Sequence, residues 1–209
     1  HIESGLTAIF NSFTAVFGVV IAAIAVADEK LTGRKLAGVA FGVTGVAVAM
    51  GLDTLRHVDL RSLGQLSVLC ATLCYALGGS YGRAKLSHLP PQVAAAGMLT
   101  GSSLVMIPLA WATEGAPTLA LEPRTWAAIA YYSLIATAVA YLLYYSIMAK
   151  AGSGNLMLVT LLLVPVAVLL GHFVLGEVLM PRHLIGFGII AASLVVIDGR
   201  VVRWLRGRA

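Results

Sequence analysis

The sequence predicts an all-α polytopic membrane protein: an inverted-repeat helix bundle with seven transmembrane helices in view of an expected ten. Three observations lead there. Hydrophobic residues fill 59% of the 209 positions and charged residues only 11%, against about a quarter in ordinary globular chains. The nine acidic and fourteen basic side chains fall in short intervals between long apolar runs, and the mean hydropathy is +0.93. A pair of apolar runs near the end of the chain also has a fainter copy near its start.

The apolar runs are Leu6–Ala27, Leu36–Leu52, Leu66–Tyr81, Val93–Trp111, Trp126–Ala149, Leu156–Leu175 and Leu184–Ile197. Most approach the ~20 residues that an α-helix needs to cross about 30 Å of hydrocarbon. None shows the alternation of a barrel strand, so helices are the expected way to satisfy the backbone in lipid. The longest polar intervals, Asp53–Gln65 and Thr113–Thr125, are too short for a soluble domain. The chain opens at His1 almost inside its first apolar run, without the n-region of a signal peptide, and so reads as starting within a repeat.

The copy is carried by particular residues. Ser4–Gly5 answers Ser153–Gly154 at an offset of 149. Glu29, Leu31, Arg34, Leu36, Gly38 and Val48 answer Glu177, Leu179, Arg182, Leu184, Gly186 and Val196 at an offset of 148, so one residue is inserted between the two groups. A recurring pair of spans suggests a duplicated transporter architecture.

Orientation follows from Lys and Arg on alternate sides. Lys30, Arg34, Lys35, Arg83, Lys85, Lys150, Arg200, Arg203, Arg206 and Arg208 share one side; Arg56, Arg61, Arg124 and Arg182 share the other. The richer side is expected to be cytoplasmic, which puts the C-terminus there. The corner Asp28–Lys35 then turns inside and its echo Gly176–His183 turns outside, so the copies are inverted. A complete second repeat is expected over 63–199, with an external linker at 53–62 and a basic tail at 200–209. The last two helices of a truncated first repeat would occupy 1–52. The pI of about 9.5 reflects bases beside membrane segments, where anionic lipid is the partner expected and nucleic acid is not.

The stretch IATAVAYLLYYSIMAKAGSGNLMLVTLLLVPVAVLLGHFVLGEVL at 135–179 resembles the end of an EamA repeat in the drug/metabolite transporter superfamily. The resemblance rests on Thr137–Ala138 in a helix rich in Ala and Tyr, the small turn Gly152–Gly154, the mid-span Pro165, the closing Gly176–Glu177 and Gly186 in the last helix. The first copy departs from the pattern, with Thr14–Ala15 where Thr-Pro or Ser-Pro is typical and Ala27–Asp28–Glu29 in place of Gly-Glu. The resemblance implies export or exchange of a small metabolite such as an amino acid or a related compound, in a bacterial inner membrane.

Several side chains are candidates for binding. Pro165 removes one backbone N–H and leaves the Leu161 carbonyl without its helical donor, which suits a cavity wall or a packing kink. Thr160 lies about a turn before it. Asn11 and Thr14 make the first span polar at its middle. Tyr75 follows two cysteines. Thr137, Tyr141 and Tyr145 lie on one helical stripe, expected either to contact substrate or to bond neighbouring helices. His172 is the one intramembrane titratable candidate for coupling, or else a hydrogen-bonded neutral ring. Glu29 with Arg34 and Glu177 with Arg182 recur at one spacing and suggest a structural corner, held by an ion pair or by a carboxylate on backbone N–H groups. Cys70 and Cys74 have no His or carboxylate beside them, so apolar packing is expected and no metal or cofactor is. Gly38-x-x-x-Gly42, Gly97-x-x-x-Gly101 and Gly186-x-Gly188 read as packing signals.

The leading expectation is a secondary transporter working by alternating access, its cavity lined by the first, third, fifth and sixth spans. A membrane-embedded enzyme would need clustered acids or histidines at the membrane face, and none converge in the sequence. A non-transporting scaffold subunit is the third reading, and a homodimer is one open form of assembly.

Overall fold

The computed structural model describes residues 4–59, 62–116, 118 and 120–198. Arg61 and the arginines of the basic tail lie outside the described residues. Among those described there are helices and no strands: α1 Ser4–Ala25, α2 Gly33–Met50, α3 Leu63–Leu86, α4 Pro91–Glu114, α5 Pro123–Ser133, α6 Ala140–Ala151, α7 Ser153–Met157, α8 Val159–Leu175 and α9 Pro181–Asp198. A 3₁₀ turn, Leu52–His57, follows α2, and a π-helical turn, Leu134–Val139, joins α5 to α6. Seven stretches are long and apolar enough to cross a bilayer, with α5–α6 and α7–α8 each forming one of them. This is the number the apolar runs predict.

Local chemistry sets the ends. Thr32 caps α2, its Oγ1 accepting from the Lys35 N–H at 3.2 Å. Pro91 and Pro123 open α4 and α5, where a missing N–H costs nothing. Gly176 closes α8 in the left-handed conformation, φ +72°, with Glu177 N–H donating to Gly171 O at 3.2 Å; this bond back across the last turn turns the chain over the helix end.

The sixth span is broken, but not at the proline. Helix α8 runs through Pro165, and the interruption lies at Leu158. There Leu158 N–H bonds Asn155 O and Leu161 N–H bonds Leu158 O, both tight three-residue turns. The helix continues through Pro165, and the discontinuity comes seven residues earlier.

Two compact units divide the chain. One joins the described residues up to Ala84 with those from Ser153 onward; the other is Lys85–Gly152. In the first, α2 lies antiparallel against α9 and α1 lies against α7 and α8. Gly38 faces Ile197, Gly42 faces Ser193, Gly45 faces Ile190, and Gly186 faces Ala49 and the Gly45 carbonyl. The offset of 148 converts Gly38–Ile197 into Gly186–Ala49, so the contact is built twice from one plan. Glycines at these positions let the backbones approach closely. Gly97, Gly101 and Gly188 have no neighbour within 4 Å of a Cβ position, so the same motif is not a contact there. Cys70 and Cys74 are exposed on α3 rather than packed inside.

In the second unit α4 packs on α6. The π-helical turn carries Thr137, whose hydroxyl donates to Tyr132 O at 2.9 Å across five residues. An extra residue in one turn shifts every following side chain around the axis. Neither Pro nor Gly marks this turn, and the sequence gives no warning of it.

Candidate functional site

The first unit holds a partly open cavity of about 730 Å³. Its walls come from the beginning of α1, the end of α2, the 3₁₀ turn, the length of α8 and the corner that leads into α9. Apolar surface from Ala8, Ala49, Leu163, Val164, Ala167 and Val168 forms most of the interior. The polar groups are Asn11, Thr54 and Thr160, with His172, Glu177, Arg182 and His183 together at one end. A mostly apolar chamber with a few convergent polar groups is the usual form of a small-molecule site.

The charged end is assembled by the turn after α8. The Gly176 turn brings the Glu177 carbonyl to His172 Nδ1, 2.7 Å away. A carbonyl only accepts, so Nδ1 carries the proton, and Nε2 is an acceptor while the ring is neutral. His183 is set the other way: Met180 N–H donates to its Nδ1 at 3.2 Å, leaving Nε2 to carry the proton. The ring of His183 stacks on Phe187 at 6.5 Å. The Glu177 carboxylate lies beside Gly171, and the Arg182 guanidinium covers Gly51. The cavity therefore carries one carboxylate, one guanidinium, and two imidazoles of opposite tautomer within one corner.

At the opposite end of α1 the related residues are packed shut. The Glu29 carboxylate accepts from Ser153 N–H at 2.6 Å, Ser153 Oγ at 2.8 Å and Gly154 N–H at 2.7 Å. It thus satisfies donors that the start of α7 would otherwise leave orphaned. Gly18 lies directly on Met157, and Ala15, Val19, Ala22 and Met157 are buried. Of the two corner devices expected for Glu29, this is the carboxylate on backbone N–H groups; the Arg34 partner is not used, and Arg34 Nε is buried without a hydrogen bond. The neighbouring Asp28 pairs with Arg83 on α3 at 2.7 Å. That hydrogen bond, aided by the charge of Arg83, holds the Asp28 carboxyl below its ordinary value. The pair thus forms above the usual carboxylate range and is lost only as pH falls through the depressed value.

The candidate residues separate into groups. Asn11, Thr160, His172, Glu177 and Arg182 share the cavity. Thr160 also donates to Met157 O at 2.8 Å, at the break before α8. Pro165 is not part of the lining, although Leu163, Val164, Ala167 and Val168 around it are. Thr14 is buried, 2% exposed, with its hydroxyl unpaired. Tyr75 is 58% exposed on α3 and outside the cavity. Thr137, Tyr141 and Tyr145 lie in the second unit, where the Tyr141, Tyr144 and Tyr145 rings run in succession at 5.7 and 5.4 Å. His183 and Thr54 are lining residues that sequence reasoning did not single out; the polar corner after a long apolar run was the available signal for His183.

Among the described residues, seven apolar spans and, in the first unit, a mostly apolar chamber with a charged corner are the features of a membrane transporter. Residues 62–198 match the EamA-like transporter family, and the chain belongs to that family. Over 201 residues it is 22% identical to the probable amino-acid metabolite efflux pump of Escherichia coli (strain K12), a match covering 92% of this chain and 67% of that protein. It is 28% identical over 142 residues to the uncharacterized transporter YwfM of Bacillus subtilis (strain 168), covering 68% of this chain and 47% of that one. A solved structure described as "Crystal structure of protein" superposes with a TM-score of 0.73 at 14% identity, over 93% of this chain and 66% of the other; that likeness concerns the fold alone. The chain thus spans about two thirds of the efflux pump and of the solved chain, and about half of YwfM.

Proposed function

We propose that the protein exports or exchanges a small amphipathic metabolite, of the kind that carries both a carboxylate and an ammonium group, by alternating access across a bacterial inner membrane. The observation that carries this reading is the cavity corner that holds Glu177 and Arg182 at the end of an apolar chamber. A guanidinium matches a carboxylate in geometry and charge, a carboxylate matches an ammonium, and the apolar wall suits a hydrocarbon side chain. The name of the Escherichia coli relative points toward the same class of compound. In this reading the Lys- and Arg-rich side is cytoplasmic, and the cavity opens to the outside.

Flux from proteoliposomes loaded with labelled amino acids tests the proposal. Saturable efflux is expected, and Arg182→Ala is expected to raise the half-saturating concentration by about tenfold, the effect of losing one charge-assisted contact of about 1.5 kcal/mol. No flux of any amino acid or related amine would sink the reading. An Arg182→Lys variant that fully restores affinity would show that charge alone, not the bidentate fork, is what the site requires.

A further inference from the structure

The two ends of α1 are related by the repeat, yet they are in different states. Glu29 is locked onto Ser153 and Gly154. Its counterpart Glu177 is exposed beside the open cavity, and the counterparts of Ser153–Gly154 are Ser4–Gly5, the first residues of α1. Carried along α1 at the offset of 149, the tight contact Gly18–Met157 corresponds to Ala167 and Ala8. Both of those residues line the cavity.

A second observation points the same way from the closed end. Three buried side-chain polar atoms lack a hydrogen-bond partner among the described residues: Thr14 Oγ1, Arg34 Nε and Ser80 Oγ. Thr14 corresponds to Leu163 and Arg34 to Arg182, and both of those counterparts line the open cavity. Buried polar groups without partners are costly. Two of the three therefore sit where the repeat places the wall of a second chamber, and opening that end would return them to solvent.

We propose that Glu177 is the second of two alternating latches: it closes the cavity by accepting the Ser4 and Gly5 backbone N–H groups, in the geometry Glu29 uses on Ser153 and Gly154. Only one latch is engaged at a time. When Glu177 closes, Ala8 meets Ala167; Glu29 then lets go of α7, and Thr14 and Arg34 line a chamber at the other end. The structure is the state with Glu29 engaged. The purpose of the device rests on the transport reading above, but its geometry does not.

The test uses the full chain in vesicles, with Cys70→Ala and Cys74→Ala to remove native thiols. One protein carries Ala8→Cys with Ala167→Cys and is treated with a short bifunctional thiol reagent. Another carries Thr14→Cys and is labelled with a small polar maleimide. Glu177→Gln is expected to lower cross-linking about fivefold, because the closed state loses its charge-assisted bonds. Glu29→Gln is expected to raise both cross-linking and Thr14→Cys labelling. Unchanged cross-linking in Glu177→Gln overturns the proposal, as does a shift in the same direction for both glutamates. If Glu29→Gln does not fold, the Glu177→Gln arm decides alone. Neither readout needs a substrate, so a silent flux assay and a failed latch are separate results.

Discussion

Replacing Gly186 by leucine is expected to prevent α9 from seating on α2 and to cost about 3 kcal/mol, the upper part of the usual overpacking range. A Cβ at this position would stand 2.5 Å from the Ala49 Cβ, 2.6 Å from the Gly45 carbonyl oxygen and 2.7 Å from the Ala49 nitrogen. Two of those three atoms are backbone, and a helix backbone yields only if the whole helix moves. Even alanine at 186 should lower the melting temperature measurably. Gly188→Ala, two residues further along α9, is the control. Nothing lies within 4 Å of its Cβ position, so it should be neutral or slightly stabilising through better helix propensity. Thermal melts of detergent-solubilised protein, followed by size exclusion or tryptophan fluorescence, compare the two. Equal behaviour of Gly186→Ala and Gly188→Ala would refute the close α2–α9 contact.

The second large effect is expected at Glu29. Truncation to alanine removes an acceptor that takes three hydrogen bonds and leaves two backbone N–H groups at the start of α7 without it. Bonds to a charged acceptor contribute about 1.5–3 kcal/mol each and do not add fully when they share one carboxylate, so a loss of about 3 kcal/mol from this conformation is expected. Glu29→Gln keeps one carbonyl oxygen as an acceptor and should lose about half as much. Ser153→Ala removes only the hydroxyl bond and should cost about 1 kcal/mol. Chemical denaturation in mixed micelles orders the series. An effect of Ser153→Ala as large as that of Glu29→Ala would place the stabilisation in the hydroxyl and not in the backbone donors.

The sequence made the spans, their number and the antiparallel echo legible, because all three are written in local hydropathy and in residue identities at a fixed offset. Asn11, Thr160 and His172 were legible as polar exceptions in apolar helices, and the cavity gathers them. Thr14 was the same kind of exception but is buried, since which side of a helix faces a chamber depends on neighbours that the local pattern does not name. For Glu29 the sequence offered the carboxylate-on-backbone device as one of two, but not its partners, because its donors lie 124 and 125 positions away. The break at Leu158 and the π-helical turn at Leu134–Val139 occur in runs of ordinary apolar residues. Pro165, by contrast, is carried within a continuous helix, because one missing N–H in lipid is a local loss that a helix tolerates. Glycine spacing marked α2 well, only one glycine of the α9 pair, and Gly97–Gly101 poorly, since a small residue permits close approach without requiring it.

The doubled contact between α2 and α9 has a mechanical meaning. A joint in which glycines on each helix receive Ile197, Ser193, Ile190 and Ala49 of the other, repeated at both of its ends by the internal symmetry, is closely packed along its length. It is suited to act as a fulcrum. Helices α1 and α8 rest against that pair like a beam across a pivot. If the two ends are coupled in this way, as the proposed pair of latches requires, a solute would meet one barrier at a time.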